Sequence, residues 1–206
     1  MKIHKIQGDL TTEITSKIKD YCSIDCEMQG LKPDRDKLSI VSLTGDDENV
    51  YIIQPNKSNY SAPNLVSVLQ DEKILKIGHY LRFDKNALEY FLKCKINNIF
   101  DTKIASKIVR TYTDMHGLKN LVQEFCNKSI DKRFGSSDWN KDLNELSNKQ
   151  LEYAANDVIF LHEIKVQLEN MLKREKRIDV FKKCISFLDT RVELDQKGFK
   201  EDIFEH

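Results

Sequence analysis

The 206-residue sequence holds only seven glycines and three prolines, and it contains no linker, internal repeat or low-complexity tract. No apolar run approaches the roughly 18 residues needed to cross a bilayer, and the first twenty residues lack a signal-peptide core. Membrane and secretory classes are therefore set aside, and a cytoplasmic protein is expected. The five cysteines (Cys22, Cys26, Cys94, Cys126 and Cys184) are odd in number and scattered, with no C-x-x-C pair, which argues against a zinc knot or a disulfide framework. An excess of either charge is also missing, since 33 Lys and Arg balance 33 Asp and Glu. Binding of nucleic acid by bulk charge is thereby excluded. A nucleic acid would have to sit in a local groove, beside an acidic site that cancels the count.

What is present is a chain that is 40% hydrophobic and 32% charged, a balance that suits one soluble globular domain. Strands are expected over Tyr21–Cys26, Lys37–Leu43, Val50–Gln54, Lys73–Ile77 and Ile96–Phe100, the second and third joined as a hairpin by the polar turn Gly45–Asn49. The segment before Asp20 is too polar to assign. Helices are expected over Pro63–Gln70, Leu81–Leu92, Thr102–Thr111 and Leu118–Asn127. Ser147-Asn148-Lys149-Gln150 is an S-x-x-Q capping box that opens a long helix to about Lys173, and a last helix covers Ile178–Leu188.

Four acids stand out from their surroundings. Asp25 and Glu27 lie two apart at the end of an apolar strand, so both face one side with Cα atoms roughly 7 Å apart. A charged pair placed where a strand wants burial has a reason if the two share a divalent cation. Asp84 falls in the first turn of a helix, after Gly78-His79-Tyr80-Leu81-Arg82-Phe83. Asp157 lies in mid-helix, four residues after Tyr153 and so on the same face, about 6 Å along the axis. Ala154 and Ala155 between them imply close approach by another element.

In this order and spacing the sequence resembles the DEDD exonuclease superfamily: D-x-E on a first strand, F-D at a strand-to-helix junction and Y-x-x-x-D on a late helix. Tyr153 marks the DEDDy branch; the DEDDh branch would place a His where this chain has Glu152. Gly117-Leu118-Lys119, Ser136-Ser137-Asp138-Trp139, the run Leu146–Val158, Asp101-Thr102-Lys103-Ile104-Ala105-Ser106 and the closing Glu201-Asp202-Ile203-Phe204 extend the likeness to ribonuclease D, in a short form with only the catalytic domain. Tyr80 departs from the pattern, because many relatives carry Asn there.

The resemblance implies a ribonuclease H-like α/β domain, with a mixed five-stranded sheet flanked by helices and a helical C-terminal part. It further implies 3′→5′ hydrolysis of single-stranded RNA ends, tRNA precursors among them, to nucleoside 5′-monophosphates. Two divalent ions, Mg²⁺ or Mn²⁺, would be held by Asp25, Glu27, Asp84 and Asp157, with Tyr153 orienting the attacking water. Met28, Leu31, His79 and Phe83 are expected at the terminal nucleotide. Among the cationic residues Lys103, Lys107, Arg110, Lys119 and Arg133, the strand is expected to be held chiefly by Arg110 and Lys119. Trp139 reads as a packing residue. The same reaction on single-stranded DNA, or a silent binding scaffold, are the alternatives to this reading.

Overall fold

A computed structural model describes every residue except Met1, Leu31, Glu48, Lys132, Lys200, Asp202, Phe204, Glu205 and His206. Six strands form one mixed sheet: β1 (Ile3–Gln7), β2 (Tyr21–Met28), β3 (Leu38–Gly45), β4 (Val50–Gln54), β5 (Leu75–Gly78) and β6 (Ile99–Asp101). Their spatial order is β1-β4-β3-β2-β5-β6. The meander β2-β3-β4 is antiparallel, while β5 and β6 run parallel to β2, and β1 runs parallel to β4. The fold is that of the ribonuclease H-like exonucleases, with six strands in place of the expected five.

The additional strand is β1. Ile3 packs with the core on one face of the sheet and Ile6 with the core on the other, so its sequence shows no period-2 signal. Helices cover both faces. Beneath lie α1 (Thr12–Thr15), α2 (Pro63–Gln70) and α3 (Leu81–Leu92), whose Leu65, Leu69, Leu81 and Leu88 meet Cys22, Ile24, Cys26 and Met28 of β2. Above lie α6 (Asn148–Ile159) and α7 (Leu161–Arg174). The helix α4 (Thr102–Val109), α5 (Leu118–Cys126) and part of α8 (Ile178–Gln196) close a second core around α7, built on Leu161, Ile164, Leu168 and Phe181.

The long helix expected from Ser147 to about Lys173 is two helices. It breaks at Phe160, whose ψ of −9° interrupts the helical path. The residues before the break, Val158 and Ile159, are β-branched and lose rotamer freedom in a helix, and the aromatic Phe160 follows them. The break lets α6 lie across β2, β3 and β4 while α7 runs on over β5. Ala154 and Ala155, both buried, are the contact residues of α6, and their small size permits the close approach that their sequence implied.

Alpha-helix α8 is tied to α3 by charge as well as by packing. Arg82 holds Asp195 through two bonds of 2.7 Å, and the buried Lys85 reaches Asp189 at 2.9 Å as well as Glu89. No helix among the described residues is long and apolar enough to cross a membrane.

Candidate active site

The alternation of β2 assigns its side chains to two jobs. Ile24, Cys26 and Met28 enter the lower core, so Asp25 and Glu27 project from the upper face, under α6. Across the antiparallel ladder Asp25 pairs with Ser42 and Glu27 with Ile40, and a bulge follows Glu27. From above, α6 lowers Asp157 toward the same spot. The result is a cluster in which carboxylate oxygens of Asp25, Glu27 and Asp157 all lie within 4.8 Å of one another.

Glu27 is 9% exposed and Asp157 4%. Like charges this close and this dry repel unless protons or a cation compensate them. Hard, anionic oxygen donors in such a cluster fit Mg²⁺ or Mn²⁺ and suit softer metals poorly. The donor set therefore fits the ions that the sequence implied.

Asp84 stands beside this trio rather than within it. Strand β5 pairs with β2 only as far as Ser23, which leaves the next stretch of the β2 edge without a strand partner. Asp84, in the first turn of α3, fills that place: its Oδ1 accepts the Cys26 N–H at 2.8 Å. The Cys26 thiol also bonds to this carboxylate. Burial pushes the Asp84 carboxyl up to about 7, against the opposing pull of the Cys26 bonds, with the nearby Asp101 adding to the rise. Burial likewise drives the Cys26 thiol well above its usual range, and the charge of Asp84 adds to that.

Tyr153 lies one turn before Asp157 and is half-buried. Burial raises its phenol far above the ordinary value, and the charges of Asp157, Glu27 and Asp25 raise it further. Tyr153 therefore stays protonated at any working pH and hydrogen-bonds Asp157. Its ring centroid lies 6.0 Å from that of Trp139, which is buried in the core under α6. Trp139 thus packs, as its sequence context implied, and what it packs against is the tyrosine of the site.

Two clefts flank the ridge made by Phe83. One, of about 540 Å³, is lined by Met28, Gln29, Gly30, Phe83 and residues 135–140. The other, of about 600 Å³, is lined by Lys32, Tyr80, Phe83, Tyr90 and Phe199 among others. Met28 and Phe83 therefore share a wall of the first cleft. His79 is held by Thr102, whose Oγ1 lies 2.9 Å from Nδ1 and donates its proton to the Gly78 carbonyl at 3.0 Å. Because Thr102 has one proton, His79 Nδ1 carries the hydrogen that it shares with Thr102. Leu31 lies outside the described residues, as do Asp202 and Phe204 of the closing motif.

The cationic residues divide. Lys119 is exposed at the start of α5, and its charge reaches Asp131 in the connection that leads to residues 135–140. Arg110 requires a correction. It is 1% exposed and its guanidinium is spent inside the protein, on Ser106 Oγ at 2.9 Å, the Met115 carbonyl at 2.8 Å and Glu124. A side chain so committed is a strut for the 111–117 loop and is not offered to a phosphate.

The comparisons agree with this geometry. A family model described as "3′-5′ exonuclease" matches residues 7–173. The chain belongs to the 3′-5′ exonuclease family. Within that family, ribonuclease D of Gluconacetobacter diazotrophicus is 31% identical over 159 residues, which is 77% of this chain and 39% of that protein. DNA polymerase I of Aquifex aeolicus is 34% identical over 154 residues, 74% of this chain and 24% of the polymerase. The chain thus spans well under half of the length of these curated relatives. Among solved structures, Brucella melitensis NrnC with bound Mg²⁺ is 42% identical with a TM-score of 0.91, and 100% of each chain is covered. The same protein bound to pGG gives a TM-score of 0.93 at 42% identity, covering 100% of this chain and 99% of that one.

In the sequence, Asp101 and Thr102 stand out only as part of a family motif. The structure shows both bonded to the loop that carries His79 and to the start of α3. An Asp-Thr pair directly before a helical pattern is an N-cap signal, and it was the available clue.

Proposed function

We propose that this protein is a metal-dependent 3′→5′ exoribonuclease that releases nucleoside 5′-monophosphates from the 3′ ends of short single-stranded RNA. The observation that carries the reading is the trio of half-buried Asp25 and buried Glu27 and Asp157, their oxygens within 4.8 Å, with Tyr153 hydrogen-bonded to Asp157. Asp25, Glu27 and Asp157 would hold one divalent ion, with Asp25 and Asp84 turned toward a second. Such a pair of ions supplies an acidified water, neutralised phosphate charge and a stabilised leaving oxygen.

The chain's own residues do the rest. Tyr153 keeps its proton and donates it to Asp157, so its oxygen would orient the attacking water by accepting a hydrogen bond from it rather than by deprotonating it. The attacked phosphorus loses its bond to the 3′ oxygen of the preceding nucleotide, and that oxygen takes up a proton. Met28 and Phe83 would bear on the terminal base in one cleft, and Tyr80, Phe83 and Tyr90 on its neighbour in the other. With no net basic charge to hold a long backbone, the affinity must come from these clefts, which favours very short RNA.

The pGG seen on the Brucella NrnC supports short 5′-phosphorylated RNA as substrate more directly than the ribonuclease D relatives support tRNA precursors. The likeness to a DNA polymerase keeps single-stranded DNA as the second reading. A competition assay decides among them: 5′-phosphorylated RNAs of two to ten nucleotides, the matched DNAs and an unprocessed tRNA are incubated together with Mg²⁺ or Mn²⁺. Preferential loss of the shortest RNAs is expected. Equal or faster loss of DNA would overturn the ribonuclease reading, and preferential trimming of the tRNA would overturn the short-substrate one.

A further inference from the structure

Asp101, at the end of β6, is fully buried and divides its carboxylate between two helices. On one side Oδ1 caps α4 by accepting the N–H groups of Lys103 at 2.8 Å and Ile104 at 3.0 Å. On the other, Oδ2 accepts the Leu81 N–H at 2.7 Å and Oδ1 the Tyr80 N–H at 3.3 Å, at the start of α3. Four backbone donors on one carboxylate, between two positive helix ends, lock both helix starts to the sheet.

The geometry of that start is costly without such a lock. Tyr80 is left-handed, with φ 70° and ψ 47°, a conformation worth roughly 1–2 kcal/mol against a residue with a Cβ. Two residues earlier, a Cβ at Gly78 would stand 2.2 Å from Leu81 Cδ2 and 3.3 Å from the Ile24 carbonyl. The loop from β5 into α3 is therefore pressed between β2 and the helix that it begins. One turn into α3, Asp84 reaches the Cys26 N–H, between Asp25 and Glu27 on the β2 edge.

We propose that Asp101 is a positioning residue for divalent-ion binding, fixing the first turn of α3 so that the Asp84 carboxylate stands beside Asp25 and Glu27. The inference deepens the metal-dependent reading above and rests on it. It assigns Asp101 no contact with ion or substrate. Its whole effect passes through the backbone of Tyr80 and Leu81.

The test uses the full chain carrying Asp101→Asn or Asp101→Ser. Both side chains cap helices well, so α4 keeps its cap, but neither offers a second oxygen to the Leu81 N–H. Mn²⁺ binding to the RNA-free protein is followed by the EPR signal of the free ion, with thermal unfolding in EDTA alongside. The weaker Mn²⁺ site is expected to lose about 10-fold in affinity or more in both variants, the range for residues that orient metal ligands. The Mn²⁺ concentration that half-activates RNA hydrolysis should move by the same factor. Thr102→Val, which frees His79 and Gly78 but spares Asp101, should leave Mn²⁺ affinity unmoved. A folded Asp101 variant with a lower melting temperature and unchanged Mn²⁺ affinity would overturn the proposal, leaving Asp101 a helix staple alone. A loss in Thr102→Val equal to that in Asp101→Asn would overturn it too. Should the wild type bind Mn²⁺ yet leave RNA intact, the reaction proposed above fails, while the Mn²⁺ titration still reads the role of Asp101.

Discussion

Replacing Asp84 with Asn removes one negative charge from the site while keeping an oxygen for the Cys26 N–H, which lies 2.8 Å from Oδ1. The consequences follow from the direction in which burial moves this carboxyl. Its ordinary value is 3.8 and the fold raises it to about 7. A group raised in the folded state favours folding fully below its unfolded value, and that support is lost as pH climbs through the folded one. In metal-free protein, Asp84 should therefore make folding progressively less favourable between about pH 4 and pH 7. At 1.36 kcal/mol per pH unit, the loss from this group reaches at most about 4 kcal/mol. Urea titrations in EDTA across that range measure it as the difference between wild type and Asp84→Asn. The variant should be the more stable protein at neutral pH, and its advantage should shrink toward pH 4. Saturating Mg²⁺ should narrow or reverse the gap, because it stabilises the wild type by binding the folded state, while hydrolysis by the variant should fall to background. A difference that stays flat with pH, or a variant destabilised at pH 7, would refute the claim that Asp84 is held as a buried, unfavourable charge.

Other changes test the remaining parts of the site. Tyr153→Phe should fold normally and slow turnover by roughly 10²–10⁴ with little change in KM, as single-turnover kinetics would report; an unchanged rate would remove the phenol from the mechanism. Asp25→Ala should abolish hydrolysis yet leave the metal-free fold intact, since it relieves repulsion within the trio; circular dichroism with an activity assay separates the two effects. Arg110→Ala should cost about 1–3 kcal/mol of stability through the unpaired Met115 carbonyl and the lost tie to Glu124, and it should leave RNA affinity unaltered in a binding titration. A selective loss of RNA affinity would restore the phosphate contact that its burial denies.

Much of this was legible in the sequence, for identifiable reasons. The bounds of α2 and α3 are the expected ones because Pro63 marks the first turn of α2 and the apolar stripe of α3 is strong. Strand β1 was not legible, because Ile3 and Ile6 serve opposite faces and an edge strand of five residues has little other signal. Nor was the break at Phe160, which a capping box and a continuous amphipathic pattern concealed. In the site, the spacing of Asp25, Glu27, Tyr153 and Asp157 carried real geometry, since strand and helix periods place each pair on one face. Arg110 misled because a lone arginine on an amphipathic helix reads alike whether it meets a phosphate or Glu124. The part played by Asp101 depends on an amide twenty residues earlier, that of Leu81, and no local pattern announces a contact of that range.

The central claim is metal-dependent attack at a 3′ end. A time course on one RNA sequence, labelled in parallel at the 5′ and at the 3′ terminus, with Mg²⁺, Mn²⁺ or EDTA, tests it most directly. The account predicts that the 3′-labelled strand releases its label at once as a mononucleotide, that the 5′-labelled strand shortens in single steps, and that EDTA stops both. Release of the 5′ label first, internal cuts, or undiminished hydrolysis in EDTA would contradict it.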